Sequence, residues 1–87
     1  NLTVTLDGES TVIPQKEFYI LYKLLSNPGK VFTKQQIMDE IWGMDTESDP
    51  HTLDVHISRL RDRFKERAPF EIITIRGLGY KAVKRDV

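Results

Sequence analysis

The stretch Pro50-His51-Thr52-Leu53-Asp54-Val55-His56-Ile57-Ser58-Arg59-Leu60-Arg61-Asp62-Arg63-Phe64, followed by Phe70-Glu71-Ile72-Ile73-Thr74-Ile75-Arg76-Gly77-Leu78-Gly79-Tyr80, decides how this chain folds. Leu53, Ile57, Leu60 and Phe64 recur at helical spacing and make the apolar stripe that a helix buries. The pattern predicts a helix over residues 50–67. At about 100° per residue Val55 lies nearly opposite that stripe, with Arg59 and Thr52 beside it. A valine at the outer pole is odd for a solvated face. It suits a helix in a DNA major groove, where an apolar group meets a thymine methyl and an arginine reaches guanine.

The remaining elements follow outward from that helix. It fades at Ala68-Pro69; Phe70 to Arg76 reads as a strand, Gly77 and Gly79 mark a tight reversal, and Tyr80 to Lys84 returns. Upstream, Asp49 caps the helix and Pro50 takes its first position. Before it lies an acidic loop, Met44-Asp45-Thr46-Glu47-Ser48-Asp49, which is either solvated or turned to a protein partner. A second helix starts at the capping box of Thr33 and Gln36, buries Ile37 and Ile41, extends to Trp42 and stops at Gly43. A first helix, residues 15–26, carries Phe18, Leu21, Leu24 and Leu25 and ends at Asn27-Pro28-Gly29. Val31-Phe32 is long enough only for a bridging strand. Leu2, Val4 and Leu6 alternate, Asp7-Gly8 turns and Thr11-Val12-Ile13 returns, an opening hairpin. The order of hairpin, three helices and hairpin predicts an α+β fold: N-terminal antiparallel strands, a three-helix core holding a helix-turn-helix, and a C-terminal β-hairpin wing.

With 87 residues this is one small domain that buries about 60% of its unfolded surface. No segment approaches the ~20 apolar residues of a membrane span, and Asn1 opens directly into a strand pattern rather than a signal peptide. The missing initiator methionine suggests a fragment of a longer protein. Without cysteine there is no disulfide framework and no Cys-ligated zinc, which fits a reducing cytoplasm. Net charge is zero, which argues at first against nucleic acid. The distribution reverses that: residues 1–50 hold four lysines against eight carboxylates, and residues 51–87 hold nine cations against five carboxylates. A basic half can face phosphate while an acidic half faces away; the plainer alternative is chance clustering on a mixed surface.

The outward arc of the third helix includes Thr52, Val55, Ser58, Arg59 and Asp62. Arg59 is placed for a bidentate guanine contact, and Val55 for a thymine methyl. Thr52 and Ser58 reach bases or phosphates, while His51 and His56 on the flanks donate to phosphate. The alternatives are a solvated Arg59 paired with a carboxylate such as Asp62, and ordinary boundary histidines. Asp54, near the buried edge, more readily orients an arginine than meets DNA, because carboxylates repel phosphate. Arg76 at the hairpin tip suits a minor groove, or is an exposed arginine on a plain turn. Tyr80 packs under the hairpin. Trp42 belongs to the core, although its indole N–H can reach a phosphate. Catalysis finds no support: His51 and His56 fall on different faces and make a poor metal pair, and neither a phosphate-cradling glycine loop nor a cysteine nucleophile is present. No cofactor or metal is expected.

Several stretches together resemble the winged-helix effector domain of OmpR/PhoB-type response regulators, the transcription factors of bacterial two-component systems. They are Lys16-Glu17-Phe18, Asn27-Pro28-Gly29-Lys30-Val31, Ile41-Trp42-Gly43, Thr52-Leu53-Asp54-Val55-His56-Ile57, Arg59-Leu60-Arg61 and Thr74-Ile75-Arg76-Gly77-Leu78-Gly79-Tyr80. In order and at family spacing, they cover nearly the whole chain. The resemblance implies sequence-specific binding of double-stranded promoter DNA in a bacterial cytoplasm. It implies an amino-terminal receiver domain absent from this sequence, phosphorylated by a sensor kinase, and homodimers on direct-repeat half-sites. Val55, Arg59 and Arg76 then read bases, Arg76 from the minor groove. Trp42, Thr52, His56 and Arg61 engage phosphates or the nearby backbone, with His51, Ser58 and Arg63 added as phosphate contacts. The loop Met44–Asp49 corresponds to a segment that meets RNA polymerase. The chain departs from the family at His51 and Ser58, where arginine is common, and in showing two opening strands where four are usual. The competing class is a protein-interaction module on the same scaffold, separable by whether DNA binds at low salt.

Overall fold

The computed structural model describes residues 2–6, 8–43, 50–64 and 68–85. Strand β1 (Leu2–Leu6) pairs antiparallel with β2 (Glu9–Ile13), with Val4 opposite Thr11. Pro14 then stands at the N-cap position of helix α1 (Gln15–Ser26). A two-residue strand β3 (Phe32–Thr33) runs directly into α2 (Lys34–Trp42), and α3 (Pro50–Phe64) follows. Strands β4 (Phe70–Ile75) and β5 (Gly79–Lys84) form the C-terminal hairpin. The architecture is the expected α+β winged helix, with α2 and α3 as the helix-turn-helix and β4–β5 as the wing. The acidic loop Met44–Asp49, the cap assigned to Asp49, Asp7 of the first turn, and the predicted last turn of the third helix at 65–67 lie outside the described residues.

The core sits where the three helices meet the wing sheet. Ile20, Leu21 and Leu24 of α1, Ile37 and Met38 of α2, and Leu53, Ile57, Leu60 and Phe64 of α3 are buried against Phe70, Ile72, Tyr80 and Ala82 of the sheet. Phe64 meets Phe70 edge-on, with ring centroids 5.5 Å apart. The stripe on α3 is the predicted one. On α1 the buried line instead runs through Ile20, while Phe18 and Leu25 are half-buried at its margin; on α2 Met38 takes the place expected of Ile41. The capping box closes both ways: Gln36 N donates to Thr33 Oγ1 at 3.0 Å, and Thr33 N donates to Gln36 Oε1 at 2.9 Å.

The short bridging strand expected at Val31-Phe32 is present one residue later as β3, and its pairing makes it the third strand of the wing sheet, whose order is β3-β5-β4, with Phe32 opposite Tyr80 and Thr33 opposite Gly79. That pairing separates the two glycines of the wing. Gly77 has φ of 75°, a left-handed turn conformation that glycine adopts without penalty. Gly79 is needed for space: a Cβ there would overlap Phe32 O and lie 2.8 Å from Thr33 Cα.

Candidate nucleic-acid interface

Amphipathicity turns one side of α3 outward. His51, Ser58, Arg59 and Asp62 are exposed there, with Val55 half-buried among them. Ser58, Arg59, Arg61 and Asp62 surround one shallow surface depression. Thr52, at the edge of the arc, is half-buried. Arg76 is exposed at the wing turn, which is closed by Leu78 N donating to Ile75 O at 2.9 Å.

The flank of α3 toward the wing is built from polar contacts. Arg61 donates through Nε and Nη2 to Ile72 O at 3.1 and 2.9 Å, and through Nη2 to Thr74 Oγ1 at 2.6 Å. Its guanidinium lies 5.7 Å from the centre of the Tyr80 ring. Tyr80, only 4% exposed, donates its hydroxyl to Asp54 Oδ1, and Lys34 Nζ reaches both Asp54 oxygens at 3.2 Å. The Tyr80 hydrogen bond holds the Asp54 carboxyl below its ordinary value, against the opposing effect of burial, and Lys34 adds to the lowering. Burial pushes the Tyr80 phenol up to about 12, helped by the neighbouring Asp54 carboxylate.

The opposite flank converges on one carboxylate. Glu17 of α1 is 0% exposed, the sole buried charged side chain among the described residues. His56 Nδ1 lies 3.1 Å from its Oε2, Arg63 Nε donates to its Oε1 at 3.2 Å, and Arg59 Nη1 stands 4.0 Å from Oε2. These three residues are one row on α3, three and then four positions apart. Trp42 packs beside them, with its ring 5.5 Å from that of His56 and Lys16 Nζ 5.2 Å from its centre.

Residues 8–82 match the family model described as transcriptional regulatory protein, C terminal. The chain belongs to that family. The effector domain is 45% identical over 80 residues to the sensory transduction protein RegX3 of Mycolicibacterium smegmatis, an alignment covering 90% of this chain and 35% of RegX3. The chain thus spans about a third of the length of the curated relatives it matches. Among solved structures it is similar to the response regulator DrrB, an OmpR/PhoB homologue of Thermotoga maritima (TM-score 0.80, 35% identity, 93% of this chain and 37% of that one). It is also similar to the DNA-binding domain of the response regulator AdeR, solved in complex with an intercistronic region (TM-score 0.79, 26% identity, 94% and 85%). The resemblance seen in the sequence therefore holds: this is a winged-helix, non-enzymatic DNA-binding domain of the OmpR/PhoB response-regulator type.

Within the effector domain the predicted site residues fall into two groups. His51, Val55, Ser58, Arg59 and Arg76 lie along the outer face of α3 or at the wing tip. Arg61, Arg63 and His56, expected at phosphates, have partners inside the domain, on β4 or on Glu17. Each sits about 80–120° from the outer pole at Val55, so its direction is set by what packs alongside. Trp42 is half-buried against the core. Asp54 corrects another expectation: it receives Tyr80 and Lys34 rather than an arginine. Glu17 and Lys34 were missed as structural partners of α3. A signal for Glu17 existed, since it stands three and four positions before Ile20 and Leu21 on the apolar stripe of α1.

Proposed function

We propose that the domain reads promoter DNA with α3 in the major groove while the wing turn enters the adjacent minor groove. Val55 and Arg59 read bases on α3; His51, Thr52 and Ser58 engage base edges or phosphates around them, and Arg76 reads the minor groove. The observation that carries this reading is one continuous outward face. It holds a half-buried valine among exposed His51, Ser58 and Arg59 on a helix pinned to the wing by Arg61, with Arg76 two residues beyond the pinned Thr74. An apolar group beside a forked donor matches the thymine methyl and the guanine edge. The AdeR domain's complex with an intercistronic region adds support by likeness.

By the same family likeness, the full regulator carries an amino-terminal receiver domain phosphorylated by a sensor kinase. It acts in a bacterial cytoplasm as a homodimer on direct-repeat half-sites. The loop Met44, Asp45, Thr46, Glu47, Ser48 and Asp49 then faces RNA polymerase.

Selection of bound sequences from a random DNA pool supplies the cognate site. Arg59→Ala is then titrated against that site and a scrambled duplex. The expected result is a loss of about 1–3 kcal/mol on the cognate site alone. Equal loss on both duplexes makes Arg59 a phosphate contact and overturns base reading. For Arg76, exchanging A·T for G·C pairs beside the half-site weakens the native domain more than Arg76→Ala; an identical response in both removes the minor-groove role. Failure to bind any DNA at low salt defeats the whole reading.

A further inference from the structure

We infer that Glu17, buried in α1 behind the outer face, is a positioning residue for DNA reading: it aims Arg59 and limits the positive charge that α3 offers to phosphate. This rests on the base-reading role proposed for Arg59. Both oxygens of Glu17 are engaged from α3. Arg63 takes Oε1, while His56 and the end of Arg59 share Oε2. Arg59 differs from its two neighbours in remaining outside. Its side chain is 59% exposed, against 34% for Arg63 and 15% for His56, although its Nη1 stands 4.0 Å from the carboxylate.

A guanidinium is a rigid planar fork, so drawing one nitrogen toward a fixed anion restricts the direction of the others. Arg59 therefore loses less rotamer freedom when it meets a base edge, the usual gain from preorganisation. Because Glu17 is completely buried, water screens its charge less than it would at the surface. Arg63 and His56, held against the same carboxylate, are withheld from phosphate. The arrangement sacrifices non-specific affinity to gain discrimination.

Glu17→Gln keeps the size of the side chain and removes its charge. Binding to cognate and scrambled duplexes is measured over a range of salt, with circular dichroism as the control for folding. The expected discrimination ratio falls about tenfold, within the range of one good base contact. Scrambled-DNA affinity rises, and the slope of log K against log salt steepens by about 0.9 for each cation released to a phosphate. A purely structural residue would weaken both duplexes together. An unchanged ratio overturns the inference, as does an unchanged salt slope.

Glu17→Asp provides a second test, and decides the matter if Glu17→Gln does not fold. It keeps the charge but withdraws the oxygens from Arg59 and from its neighbours on the same carboxylate, so discrimination falls although the charge is retained; preserved discrimination overturns the inference. Introducing Glu17→Gln into Arg59→Ala should lower discrimination much less than it does in the native domain, because only the release of Arg63 and His56 remains; an equal loss in both backgrounds shows that Glu17 does not act through Arg59. If Arg59→Ala alone retains full discrimination, the fault lies in the base-reading proposal.

Discussion

The two flanks of α3 are held in different ways. Toward α1, one buried carboxylate gathers three basic side chains. Toward the wing, an exposed arginine binds a backbone carbonyl and a hydroxyl, and a half-buried aspartate takes a phenol and a lysine. The first flank depends on charge in a place water does not reach. The second spreads its contacts over both strands of the wing, none of which requires a fully buried ion. Losing the single anion of the first flank strands several partners, whereas the second can lose one contact at a time.

The strongest challenge to this comparison is Gly79→Ala, which disrupts the wing itself. Its new Cβ strikes the backbone of Phe32 and Thr33, which no side-chain rotation can relieve. A loss of about 3 kcal/mol or more is expected in denaturant titration. A smaller loss would mean that β3 yields easily and that the wing flank is not anchored there. Next comes the direct contrast. Glu17→Ala should cost about 2–3 kcal/mol, below the ~3–5 of a fully buried pair because Arg59 and Arg63 reach water. Arg61→Ala should cost about 1–2 kcal/mol, since water can replace it at the exposed Thr74 hydroxyl. Equal losses would erase the distinction between the flanks.

Tyr80→Phe has the smallest expected effect, about 1 kcal/mol near neutrality, but a distinctive dependence on pH. The folded phenol titrates at about 12, above its ordinary value of 10.0. Its contribution is therefore full below that ordinary value and is lost as pH rises through the folded one. Asp54 is shifted down from 3.8, so its contribution is present above that value and lost as pH falls. Tyr80→Phe should make stability flatter between about pH 10 and 12, and flatter on the acid side as well. Unchanged limbs would show that the Tyr80–Asp54 bond does not join α3 to the wing.

Helix positions and the wing turn were legible because they rest on local rules. The stripe of Leu53, Ile57, Leu60 and Phe64 needs only helical spacing, and the box of Thr33 and Gln36 needs only a cap and its third residue. The outer face was readable for the same reason, as the complement of the stripe. The place of β3 in the wing sheet was not, since two residues carry no periodicity and Phe32 finds Tyr80 across 48 positions of chain. The flank residues failed for a related reason. A helical wheel assigns Arg61, Arg63 and His56 an angle but gives no sign of whether a carbonyl, a buried glutamate or solvent waits there. Glu17 was visible as a charge on an apolar stripe, yet its meaning depended on partners 39–46 positions away.

The seam at Thr33 has a consequence for motion. Thr33 is both the sheet partner of Gly79 and the cap of α2, and the next amide, Lys34 N, donates to Leu78 O at 3.2 Å. One end of α2 is therefore stitched to the wing by main-chain bonds on successive residues. Hydrogen exchange should therefore show the first turn of α2, β3 and the start of β5 opening together as one cooperative unit. Any restraint that settles the wing should slow exchange at the Lys34 amide, far along the chain from the glycines that shape the turn.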